Sequence, residues 1–97
     1  MANIRIDPDT MDSRANQART EASHIGDVIT NMNHLLTTLQ GEWEGEASRS
    51  YAERYNNDFK PSMLKAQQLL EEIAKALNDT ARNMREQDAQ IASGWKA

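Results

Sequence analysis

The most regular feature of the chain is an apolar stripe. Met11, Ala15, Ala18, Ala22, Ile25, Ile29, Met32, Leu36 and Leu39 recur at spacings of 4, 3, 4, 3, 4, 3, 4 and 3. A strict seven-residue repeat predicts a helix packed on a neighbour at a shallow left-handed crossing. Its first half is rich in Ala, so a second helix can approach closely there. Its second half adds Val28 and Leu35 beside the stripe, wide enough to meet two neighbours. The start is marked by Asp7 as N-cap and Pro8 at the first helical position. Ile6 and Met11 fall at the two positions of a hydrophobic staple. Gly41 suits the C-terminal stop. The pattern predicts a first helix over about 7–40. Gly26 interrupts it at a cost of about 1 kcal/mol relative to Ala, and nothing in the pattern explains it.

Residues 41–45, Gly-Glu-Trp-Glu-Gly, read as a tight helix–helix turn. A second helix is expected over about 46–92, with Tyr51, Tyr55, Phe59, Met63, Ala66, Leu70, Ile73, Leu77 and Met84 among its apolar positions. The spacing slips once, near Phe59 to Met63, where two steps of four adjoin, and Pro61 falls in the slip. Proline removes a helical hydrogen bond and clashes with the carbonyl four residues back, that of Asn57. A kink within one helix near Pro61 is favoured over a break into two. Apolar spacing runs on both sides, with no Gly and no long polar loop between. Residues 93–97 are expected to fray as a flexible tail.

The expected fold is therefore all-α, one antiparallel helix-turn-helix hairpin. The core of the hairpin and of its dimer is expected to hold Ala18, Ala22, Ile25, Ile29, Met32, Leu36, Leu39, Leu70, Ile73 and Leu77. Both stripes broaden beyond a narrow seam, at Val28 and Leu35 and at Leu69 and Ala76. Covering them calls for a second hairpin, giving a four-helix bundle from two chains.

Composition narrows the function. The chain has 97 residues, one small domain, and a net charge of −4. That argues against nucleic acid or an anionic membrane as main partner, and no stable membrane insertion is expected. Cysteine is absent, which excludes disulfides, thiolate metal sites and Cys nucleophiles. No apolar run reaches the ~18 residues of a membrane span. Met1 to Thr10 lacks the basic start and apolar stretch of a cleavable secretory signal.

Glu21 and His24 have the Glu-x-x-His spacing of di-iron carboxylate bundles. Both sit one residue off the stripe, and the second helix offers no inward Glu at matching height, so a surface pair is expected and no metal or cofactor. No nucleophile stands beside a base, and no phosphate loop is present; an enzyme is not expected.

Two features remain. Trp43 sits in a tight turn, where few neighbours can cover it. It either caps its own bundle or lines a groove for a partner, since Trp is enriched at interface hot spots. Met84, Asp88, Ile91 and Trp95, spaced 4, 3 and 4, lie on one helical face. A carboxylate in a dry seam would be expensive unless paired. Three apolar anchors around one acid suit docking into another protein.

A chain of this length with two long helices and Trp43-x-Gly45 in the turn resembles the WXG-100 family, substrates of type VII secretion systems. The likeness spans the whole chain. Members of mycobacterial type carry Tyr-x-x-x-Asp/Glu after the second helix; here Met84 stands where the Tyr would be, with Asp88 in register. Met84, Asp88, Ile91 and Trp95 instead resemble the Firmicutes pattern of hydrophobic, Asp, hydrophobic and hydrophobic. The resemblance implies a small secreted effector or adaptor, exported folded without a cleavable signal by a machine with an FtsK-like ATPase. It implies an antiparallel homodimer in preference to a heterodimer with a related chain. The Trp-x-Gly turn of one chain and the tail of the other would then form one composite export signal. The rival expectation is an intracellular helical adaptor or chaperone whose tail face is ordinary packing.

Overall fold

The computed structural model describes the backbone of residues 7–94 and side chains through Gln90. The staple residue Ile6, the side chain of Ile91 and all of Trp95 lie outside the described residues. Asp7 caps the first helix as its short acidic side chain allows. The Thr10 N–H donates to Asp7 Oδ1 at 2.8 Å, and the Thr10 hydroxyl to Oδ2 at 3.1 Å. These bonds hold the Asp7 carboxyl below its ordinary range. Helix α1 then spans Pro8–Glu42, about 52 Å at the usual rise per residue.

The helix runs through Gly41, which is not the stop. The chain leaves the helix at Trp43, whose N–H still donates to the Leu39 carbonyl at 2.6 Å. The reversal is made at Gly45, with φ 122° and ψ 179°. Residues with a Cβ are strained there, so this position requires glycine.

The return limb is α2 (Glu46–Arg54), a π-helical turn (Tyr55–Phe59) and α3 (Lys60–Gly94). The Lys60 N–H donates to the Tyr55 carbonyl five residues back, so the turn carries one extra residue. Pro61 follows at once. The wide turn accommodates its missing N–H and bulky ring, and the limb continues helically past it without a break. The extra residue also accounts for the slipped spacing. Tyr51, Tyr55, Phe59 and Met63, each four apart, line one groove.

Beyond the π turn the seam of α3 is Met63, Gln67, Leu70, Ala74, Leu77, Ala81 and Met84, again at alternating fours and threes. Ala74 and Ala81 are fully buried against α1, as is Ala15, and Ala22 nearly so. Of the other expected core positions, Ile29 is buried, while Ala18, Ile25, Met32, Leu36, Leu39, Leu70 and Leu77 are half-buried. Ile73, expected in the core, is 41% exposed, because Ala74 takes the seam and turns Ile73 outward.

Two side chains of the return limb donate to backbone carbonyls of α1. Tyr55 Oη reaches Ile29 O at 3.4 Å, and Gln67 Nε2 reaches Ala22 O at 3.0 Å. The second contact explains Gly26. A Cβ there would stand 2.9 Å from Gln67 Nε2, so the glycine is a notch that admits the amide. The result is a rod of 78 × 26 × 18 Å.

Candidate functional site

The turn end of the rod is aromatic. Trp43 stacks on Tyr51, centroids 5.9 Å apart at 29° between planes. Arg54 lies over the other aromatic partner, its guanidinium carbon 5.7 Å from the Tyr51 centroid. Trp43 thus packs on its own return limb yet stays 41% exposed. Beside this cluster runs a groove of about 490 Å³ lined by Val28, Met32, Leu36, Tyr55, Phe59 and Met63. Its walls are almost wholly apolar. Val28, Leu35, Phe59, Leu69 and Ile73 are large apolar side chains left 41–55% exposed in the single hairpin.

The open end, where α1 begins and α3 ends, is polar. Asp12 Oδ1 accepts from Asn78 Nδ2 at 2.7 Å, and Oδ2 from Arg85 Nη1 at 2.8 Å. Arg85 Nη2 donates to Asp9 Oδ1 at 2.6 Å. Arg19 Nη2 donates to the side-chain oxygen of Asn78, Oδ1. Bonds from Arg85 and then Asn78 hold the Asp12 carboxyl below its ordinary range, and the same two carboxylates push Arg85 up. Met84 is half-buried and Asp88 exposed. The two share a shallow depression with Asp7 and Pro8 of α1.

The expected turn residues and tail residues therefore lie at opposite ends of one chain. Trp43 and Gly45 are not brought together with Met84 and Asp88 within a hairpin. Glu21 and His24 approach to 3.6 Å and are both exposed. Among the described residues no group of three or more His, Asp or Glu could hold a metal ion. No described helix is long and apolar enough to cross a membrane.

The sequence reading missed the Tyr51–Arg54 support of Trp43 and the whole Asp9–Asp12–Asn78–Arg85 cluster. A signal for the latter exists. Asp12 and Arg19 are seven residues apart on one helix, as are Asn78 and Arg85 on the other. Polar pairs at the repeat distance can face each other across a seam.

A long helical hairpin that reverses through a Trp-x-Gly turn defines the class of protein. The chain belongs to the WXG100 family, described as proteins of 100 residues with WXG, which it matches over residues 3–89. It is similar to YukE of Bacillus subtilis, 29% identical over 93% of this chain and 92% of that one. It is also similar to type VII secretion system extracellular protein A of Staphylococcus aureus, 27% identical over 98% of this chain and 97% of that one. Among solved structures, EsxA of Geobacillus thermodenitrificans superposes with a TM-score of 0.86 at 33% identity, covering 95% of this chain and 99% of that one. The secreted protein EsxB of Bacillus anthracis shares the fold, with a TM-score of 0.80 at 24% identity, covering 91% and 99%.

Proposed function

We propose that this chain is a substrate of a type VII secretion system, exported folded as a homodimer and acting through protein contacts rather than catalysis. The observation that carries this is the pairing of a rigid Trp-x-Gly turn with a long apolar flank that one hairpin leaves bare. Val28, Leu35, Leu69 and Ile73 are about half exposed, so covering each with a second copy would contribute about 0.7–1.5 kcal/mol. Antiparallel pairing would bring the Trp43–Gly45 turn of one copy toward the tail of the other. The export machinery, through its FtsK-like ATPase, would then read the dimer rather than the monomer. Met84 supplies an apolar anchor and Asp88 the polar element, with Ile91 and Trp95 continuing the same sequence face.

Export of wild type and Asp88→Ala from the native host, with helicity checked on both purified proteins, tests the reading. Wild type outside and folded variant inside support it. Equal export of both overturns the role of Asp88 and moves the test to Trp43. Retention of both overturns export itself and favours an intracellular adaptor. Sedimentation of the purified chain tests pairing: a monomeric mass at micromolar concentration overturns the homodimer.

A further inference from the structure

The seam near the open end is thin. Ala15 and Ala81 are its fully buried residues, and Met84 beyond them is only half covered. Small side chains bring helices close but contribute little apolar area to hold a helix end in place. Polar groups bridge the gap. The two terminal nitrogens of Arg85 grip two different carboxylates, Asp9 and Asp12, one helical turn apart on α1. Asp12 also holds Asn78, two turns earlier on α3. One acid of α1 thus straps two separate turns of α3.

The strap matters because of the charge around it. Asp7, Asp9, Asp12, Glu86 and Asp88 all lie near this end, and Asp7 and Asp88 line the same depression. Like charges on facing helices push them apart. Arg85 is the cation that bridges them. It stands next to Met84 and three residues before Asp88.

We infer that Arg85 is a positioning residue. Its grip on Asp9 and Asp12 fixes the end of α3 against α1 and so sets the direction in which Met84 and Asp88 are presented. This rests on the proposed role of that face in export, and concerns a residue that itself need not touch the machinery. Exposed ion pairs move global stability little. Their effect falls where packing is weakest, on local opening of a helix end.

The test is hydrogen exchange on the full-length chain, read at the amides of residues 84–90, alongside export from the native host. The variants are Arg85→Ala, Arg85→Lys, the double change Asp9→Asn with Asp12→Asn, and Asp88→Ala. Loss of the grip through either Arg85→Ala or the double change should speed exchange at 84–90 roughly fivefold. Helicity and exchange around Ile29 to Leu36 should not move. Arg85→Lys should recover only part of the protection, because a single ammonium lacks the fork that spans two carboxylates. Export of Arg85→Ala should drop toward that of Asp88→Ala. Unchanged exchange at 84–90 overturns the inference, as does faster exchange with Arg85→Ala export still equal to wild type while Asp88→Ala stays inside. Full export of Asp88→Ala instead overturns the role of that face in export, and the exchange result then decides the strap alone.

Discussion

The two halves of the hairpin are held together by different means. Toward the turn, the helices meet through Ile29, Leu36, Ala52 and Tyr55, and spare apolar surface is left over. Val28, Leu35 and Phe59 point away from the seam, 47%, 50% and 55% exposed. Toward the open end, the seam is built on Ala15, Ala22, Ala74 and Ala81, and polar bonds among Asp9, Asp12, Arg19, Asn78 and Arg85 cross it. One half carries more apolar surface than a lone hairpin can bury. The other closes its seam with small residues and charge, while Leu69 and Ile73 beside Ala74 carry exposed apolar surface into it. A single chain can thus hold one stretch of its seam by large apolar side chains and another by small residues and charge.

The contrast breaks most sharply if the turn half is made polar. Val28→Asp combined with Leu35→Asp should leave the monomer helical but weaken the proposed dimer about a hundredfold or more, measured by sedimentation across a concentration series. Unaltered association would mean that this flank is not the interface. The next largest effect belongs to the closed half. Ala81→Leu forces three more carbon atoms into a seam with no room, and should cost about 2 kcal/mol, or roughly 10 °C in Tm. Ala76→Leu, on the exposed side of the same helix, should change Tm little, so equal losses from both would refute the tight seam.

A smaller effect tests the notch between the halves. Gly26→Ala gains about 1 kcal/mol of helix propensity and loses a hydrogen bond of about the same worth, so alone it should be nearly neutral. With Gln67→Ala already in place the clash and the bond are both gone, and Gly26→Ala should then stabilise by about 1 kcal/mol. Additive behaviour in that double-mutant cycle would disprove the coupling.

Acid should show the smallest effect and the most local. Asp12 is held below its ordinary value of 3.8 by Arg85 and Asn78, so the folded open end binds fewer protons than the unfolded chain. Its contribution is complete above the ordinary carboxylate range and is lost as pH falls below 3.8 through the folded value. Asp79 is also lowered, chiefly by Lys75, but that pair lies within α3 and does not tie the helices together. Hydrogen exchange followed from pH 7 downward should therefore loosen near residues 78–90 before the turn half. Asp12→Asn should remove that difference.

Much of this was legible in the pattern of residues. The heptad stripe of α1 and its Asp7-Pro8 start depend on local chemistry and spacing, and the structure follows them. The steps of four around Pro61 were visible too, but a kinked helix and a π turn produce the same slip, and only the Lys60-to-Tyr55 hydrogen bond separates them. That Ile73 lies outside the hairpin's own seam was hidden for a related reason. Apolar character alone favours Ile over Ala, whereas close approach of two helices selects the smaller neighbour, Ala74. Gly26 was illegible and the Arg85 cluster was hinted at only by its seven-residue spacings, because each depends on a residue more than forty positions away. Their meaning exists only once two helices are aligned.

The rod's proportions, 78 Å long against 26 and 18 Å across, carry a consequence for transit. A body of this shape moving end-on needs an aperture matched only to its two short dimensions. Placing a second rod alongside in antiparallel fashion widens one of those dimensions and leaves the other unchanged. Under the proposed export, a conduit would be gauged by helix diameters rather than by chain length, and would not have to pull the hairpin apart to let it pass.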